Sequence, residues 1–124
     1  MGYRSDIVAL IYPDADGVKP GDYEALKTLM NTAFKEVADT FYEDMEWHDK
    51  MKCLKFMMND VKWYDSYPDV QAFNNMMEFF RDEEHGYCTE FIRIGEDCDD
   101  VETTQTGNML LYLLSVRRSI ESDI

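Results

Sequence analysis

Basic residues are scarce in this chain. Twelve lysines and arginines stand against 26 aspartates and glutamates, and the net charge is −14. So negative a surface repels nucleic-acid backbones and anionic membranes, which excludes both as expected partners. No apolar run reaches the ~18 residues of a membrane span. The opening residues, Met1-Gly2-Tyr3-Arg4-Ser5-Asp6, lack the pattern of a secretory leader. The three cysteines are an odd number, which argues for free thiols in a reducing, cytoplasmic compartment. There is no serine elbow, phosphate-cradling glycine loop, metalloprotease motif or paired Cys-His signature. His48 and His85 are the only histidines available as a general base. An enzyme is therefore not expected, and no cofactor is implied.

What is present points to one folded domain. A length of 124 residues fits a single core. Hydrophobic residues at 45% and aromatics at 14% exclude a disordered chain despite the charge. Nine methionines suit irregular packing and adaptable surfaces.

Residues 5–12 (SDIVALIY) are apolar on both alternating faces, which predicts a central strand ended by the turn residues 13–17. Pro20-Gly21-Asp22 then announces a helix, with Asp22 or Gly21 as its cap. Tyr23, Leu26, Met30, Ala33, Val37 and Phe41 space one apolar stripe over about five turns. Aromatic-rich residues 45–64 read as two strands, near 45–49 and 51–64, with a bulge at Asn59-Asp60. Pro68 in a first turn, preceded by Ser66 and Tyr67, starts a second helix. Val70, Phe73, Met77 and Phe80 form its buried stripe, and Gly86 ends it. Residues 87–94 are the fourth strand, 97–108 a loop and 109–118 a fifth strand. The order β-α-β-β-α-β-β predicts an α+β fold. Its core is a ferredoxin-like β-α-β-β-α-β unit with an antiparallel sheet, two helices on one face and an added C-terminal strand.

The acids cluster. Glu96, Asp97, Asp99, Asp100 and Glu102 follow the break at Gly95, and Asp82, Glu83, Glu84 and Glu90 precede it. Glu36, Asp39 and Glu43 form a separate helical stripe. These groups could solvate the surface, hold a divalent ion, or together imitate the phosphates of a duplex. The loop has the oxygens of a calcium site without its mid-loop glycine or spacing. His85 and Cys88, with Cys98, Cys53 and His48, lack the tight pairs of structural zinc. Trp63, Tyr64 and Tyr67 are either core edge or an interface anchor. Stacking of Trp63 and Tyr64 on a base would need a basic pocket that the sequence does not show.

Gly2-Tyr3-Arg4-Ser5-Asp6, Val61-Lys62-Trp63-Tyr64, Tyr67-Pro68-Asp69-Val70, Phe91 to Asp97 and Arg118-Ser119-Ile120 together resemble a set of small bacteriophage and prophage proteins. The resemblance implies a phage origin and a bacterial cytoplasm, and carries over no catalytic residue. Small acidic phage proteins often act against host restriction, CRISPR and nuclease systems. The expected function is therefore inhibition of a basic, nucleic-acid-binding host protein by an occluding or DNA-mimicking acidic surface. Its expected contact residues are the acids of 82–84 and 96–102, Glu36, Asp39, Glu43, Trp63, Tyr64 and Tyr67. The alternatives are an assembly module that self-associates through its sheet, and a small-ligand or divalent-ion binding protein.

Overall fold

The computed structural model describes residues 2–16, 21–97, 99–116 and 120–122. Five strands form one antiparallel sheet in the order β2-β3-β1-β4-β5. They are β1 (Ser5–Pro13), β2 (Met45–His48), β3 (Cys53–Val61), β4 (Tyr87–Gly95) and β5 (Val101–Thr106). β3 separates β1 from β2, and β1 separates β3 from β4, so the two helical crossovers interleave.

β1 is central because its sequence is apolar on both faces. Ile7, Ala9 and Ile11 join the helix-side core, while Val8, Leu10 and Tyr12 join a second cluster on the opposite face. At the other end of the strand pair, Ser5 faces Val61 while Ile7 faces Met58, so β3 carries an extra residue. This is the bulge expected at Asn59-Asp60. Asp60 sits at φ 55°, and its N–H is accepted by the Asp6 carboxylate at 2.8 Å.

Helices α1 (Tyr23–Asn31), α2 (Lys35–Thr40) and α3 (Pro68–Arg81) cover the first face. The single five-turn helix expected from the apolar spacing is thus two helices. Thr32 leaves helical geometry, and its hydroxyl turns back to the Thr28 carbonyl. Ala33, expected inside, is exposed. Phe34 turns inward in its place, with ring centroids 5.2 Å from Phe79 and 5.4 Å from Phe80. An aromatic ring buries far more apolar surface than a methyl, and the break is what lets it reach α3.

Two further expectations change together. The loop expected at 97–108 contains β5, which pairs with β4 from Thr106 opposite Thr89 to Val101 opposite Ile94. Its threonines favour strand geometry, and β4 offers an open edge. The described part of the expected fifth strand, residues 109–116, therefore does not join the sheet, and the strand order differs from the one foreseen. The segment leaves β5 at Gly107, where φ is 127° and a side chain would strike the Cys88 sulfur. It then crosses the second face. Leu110, Leu113 and Leu114 pack there on Val8, Leu10 and Ile92. Among the described residues, Leu114–Val116 (β6) pairs with Ile120–Ser122 (β7) alone. Arg117 and Arg118 lie outside the described residues.

Hydrogen bonds from the sheet tie this segment down. Asp14 accepts the N–H groups of Asn108 (2.8 Å) and Met109 (3.0 Å). The Tyr12 hydroxyl accepts the Leu111 N–H, and Glu90 accepts both the Tyr12 hydroxyl (2.6 Å) and the Leu114 N–H (3.1 Å). Glu90, counted above with the acidic cluster, is fully buried. Burial opposes ionisation of Asp14, but the N–H groups of Asn108, Met109 and Asp16 outweigh it and hold the carboxyl below its usual range. A depressed folded pKa stabilises above the unfolded value of about 3.9, and the effect is lost as pH falls through the folded value. Acidification below pH ~4 is therefore expected to free the Asn108 and Met109 amides. Hydrogen exchange at those two positions checks it, against an Asp14→Asn variant whose protection does not depend on pH there.

Among the described residues no helix is long and apolar enough to cross a membrane.

Candidate functional site

Gly95 closes β4 where only a hydrogen fits: a Cβ would strike the Asp100 carboxylate and the Tyr3 hydroxyl. The turn that follows sends Asp100 back toward β4. There the Arg93 guanidinium grips it through Nη2 at 2.6 Å and Nη1 at 3.1 Å. Arg93 also donates from Nε to Glu102 at 2.9 Å and from Nη1 to Ser5 at 3.1 Å, and its Nη2 lies 2.7 Å from the same Glu102 carboxylate. The Tyr3 hydroxyl donates to Asp100 at 2.7 Å and accepts the Asp97 N–H at 3.0 Å. Arg93, with Tyr3 behind it, holds Asp100 below the usual carboxylate range, and the Asp100 bond raises the Tyr3 hydroxyl.

The loop is consequently a built turn rather than five loose charges. Asp100 and Glu102 serve Arg93, and Glu96 accepts the Arg4 N–H at 3.0 Å. Asp97 and Asp99 are exposed. Asp82, Glu83 and Glu84 are exposed too, but they precede β4 whereas the loop follows it. The nine residues of β4 put about 30 Å between the two groups. Asp39 and Glu43 stand by the β2 edge, four strand spacings or about 19 Å across the sheet from β5, and Glu36 is exposed in the first turn of α2. The topology spreads the expected contact acids over three regions.

Of the three, the β2 edge has the most to offer a partner. The 3-10 turn Tyr42–Asp44 links α2 to β2 and leaves the Tyr42 side chain 78% exposed. Beside it lies a groove of about 780 Å³ with Met30, Met45 and Trp47 among its lining residues and Asp39, Glu43 and Asp49 beside them. Lys35 meets Asp39 at 3.1 Å on the exposed face, a pair of little energetic weight. Trp47 is steadied edge-on by Tyr23 at 5.8 Å, and the Tyr23 hydroxyl donates to Asp49 at 2.7 Å. That bond and Lys27 lower Asp49 below the usual range, which keeps it charged. Burial, with Glu43 adjacent, raises Asp44. β2 is an edge strand of the sheet, and its outer side pairs with no other strand among the described residues.

The three aromatic candidates divide. Trp63 is half-buried core edge, 5.2 Å from Phe73 and 6.0 Å from Phe41. Tyr64 stands edge-on to Tyr67 at 5.1 Å, and its hydroxyl accepts the Tyr3 N–H. Tyr67 is exposed at the start of α3.

Cys53 and Cys88 are buried, and burial pushes their thiols up to about 12 and about 11, far from nucleophilic range. Cys98 lies outside the described residues. Among those described, no three His, Cys, Asp or Glu residues are placed to hold a metal ion. His85 stacks on Phe79 at 3.8 Å, and His48 lies 3.1 Å from Glu46.

The sequence reading passed over Tyr42, Met45 and Trp47 as contacts, and Tyr3 and Arg93 as partners of the acidic loop. Tyr42 had one signal: an aromatic among acids, off the buried spacing of its helix. The others come together only through long-range pairing. No family model matches the chain, and neither a curated protein nor a solved structure matches it.

Proposed function

We propose that this protein binds and occludes a basic surface on another protein, of the kind that nucleic-acid-binding host proteins carry. The observation that carries the reading is the groove at the β2 edge, where exposed Tyr42 and the Met45–Trp47 wall lie among Asp39, Glu43 and Asp49. Aromatic and methionine contacts supply grip, while surrounding charge of one sign speeds encounter and selects the partner. The net charge of −14 favours a cationic partner at long range. Because the acids stand in three regions, occlusion at one of them fits better than imitation of a continuous duplex. The resemblance to phage proteins adds the expectation that the partner belongs to a host defence or nuclease system.

We also read the sheet core as a ferredoxin-like unit with additions. The interleaved crossovers and the order of β1 to β4 support that reading, with β5 and the C-terminal segment as the extra parts.

The test is capture of partners from a bacterial lysate, followed by titration of each identified partner at low and high salt. Binding is expected to weaken at least tenfold between 50 and 200 mM salt, by analogy with multi-contact charged interfaces. The triple variant Glu36→Lys, Asp39→Lys, Glu43→Lys is expected to lose it. Asp16→Lys, at an exposed position, is the control for a reversal of charge elsewhere on the surface. Affinity indifferent to both salt and the triple reversal sinks the proposal.

A second reading, assembly through the sheet, is favoured by β5, an edge strand exposed along most of its length. Light scattering decides it, since a strict monomer at high concentration leaves it no support.

A further inference from the structure

The alternation of β2 sorts its side chains onto two faces. Met45 and Trp47 turn toward the helices and pack against the core there. Glu46 and His48 turn to the opposite face. The groove of about 780 Å³ lies on the helix side, lined by α1, α2 and β2 together. One cation already shows how its wall works. Lys27 Nζ lies 4.6 Å from the centre of the Tyr23 ring and 5.8 Å from that of Trp47, with Asp49 Oδ1 at 3.3 Å. Aromatic faces and a carboxylate hold the ammonium between them. Capacity is left over. Three lining carboxylates, Asp39, Glu43 and Asp49, stand against Lys27 alone. Asp39 is answered by Lys35 from outside the lining. Both bonds to Asp49 fall on Oδ1, and its side chain is 77% exposed. Glu43 is exposed and meets no cation among the described residues.

An edge strand also carries main-chain N–H and C=O groups that no neighbouring strand receives. A chain laid beside β2 takes up those groups and, by the same alternation, sends every second side chain toward the groove. Long cationic side chains fit there. Their methylenes lie along Met45, Trp47 and the exposed Tyr42 ring, and their charges end at Glu43 and Asp49. We infer that the groove receives an extended segment of the partner, added to the sheet as a strand outside β2, with lysine or arginine at alternate positions. β2 is four residues long, about 13 Å, so about two cationic side chains of the segment reach the groove. The intervening residues face Glu46 and His48 and are less constrained. The inference rests on the reading above that the partner is basic, and narrows it from a folded basic surface to a strand.

The probe is a fluorescein-labelled octapeptide in which lysine alternates with threonine, titrated with the full chain at low salt and followed by anisotropy. A peptide of the same composition with its lysines in one block carries equal charge and is the reference. The alternating peptide is expected to bind about tenfold more tightly, or better. Two further versions carry backbone N-methyl groups on the odd or on the even residues. Strand addition uses the N–H groups of one edge alone, so one version is expected to lose about tenfold or more and the other to bind like the unmethylated peptide. Tyr42→Ala removes the exposed ring and is expected to weaken the alternating peptide about tenfold with melting unchanged. Glu43→Gln is read in its place if that variant fails to fold, with the same loss expected. Equal binding of the alternating and blocked peptides overturns the inference. So does an equal response of the two methylated versions, or a folded variant that binds like the parent. Peptides that all fail while a captured partner still binds in a salt-dependent way overturn strand addition and leave the basic partner standing; failure of both removes the two together.

Discussion

Replacing Phe73 with alanine is expected to remove about 3–5 kcal/mol of stability, the usual range for emptying a large aromatic site in a core. Phe73 is fully buried on α3, and three rings meet it edge-on: Phe56 at 5.1 Å, Trp63 at 5.2 Å and Phe41 at 5.5 Å. Those rings come from β3, the segment after it and the end of α2, so one side chain joins the sheet to two helices. Each edge-to-face pair adds about 0.5–1.5 kcal/mol beyond the area it buries. Small domains are stable by only about 5–15 kcal/mol, so the variant would sit near the limit of folding. Urea denaturation measures it. A loss under about 1 kcal/mol would mean that the rings close over the cavity and that Phe73 is not the keystone the geometry implies.

The second large effect belongs to Glu90. Glu90→Ala leaves the Tyr12 hydroxyl and the Leu114 N–H without their acceptor in a buried site. Leaving a buried donor unsatisfied costs about 1–3 kcal/mol, and two are affected, so a loss of about 2–6 kcal/mol is expected. The local consequence should exceed the global one. Leu114 and its neighbours lie on the second face of the sheet, held by this carboxylate, Tyr12 and Asp14. Limited proteolysis should therefore cut the variant between 107 and 113 well before the core opens. Glu90→Gln retains an acceptor for Leu114 and should lie between the two. If Glu90→Ala shows parental melting and parental cleavage, the carboxylate is not what holds the segment.

The same residue shows why composition misleads about surfaces. Glu90 sits eight residues after Asp82 and six before Glu96, and by sequence it belongs with them. The alternation of β4 turns it to the face that the C-terminal segment covers, where it accepts two hydrogen bonds. Asp100 and Glu102 look like the heart of an acidic loop, yet each is engaged by Arg93, opposite Glu102 in the β4–β5 register. Until β5 is recognised as a strand, nothing in the chain order brings Arg93 to those acids. β5 itself, VETTQT, has too little apolar content to announce a strand, because it is exposed along most of its length and leans on the edge of β4.

What the sequence determined by itself was everything set by short-range chemistry. The two-faced apolar run made β1 central, Pro68 and its flanking residues started α3, and the bulge fell at Asn59-Asp60. The charge of −14 limited the kinds of partner before any coordinate was known. The tertiary structure decided which acids remain outward and which are consumed by Arg93 or buried under the last segment. It also divided the long helix so that Phe34 could reach Phe79 and Phe80. Finally, it brought Tyr42 and Trp47, from the turn after α2 and from β2, to the lining of one groove. Periods and caps act over a few residues and can be read in order; a charge is neutralised, or an aromatic becomes a wall, through neighbours that only the pairing of distant strands supplies.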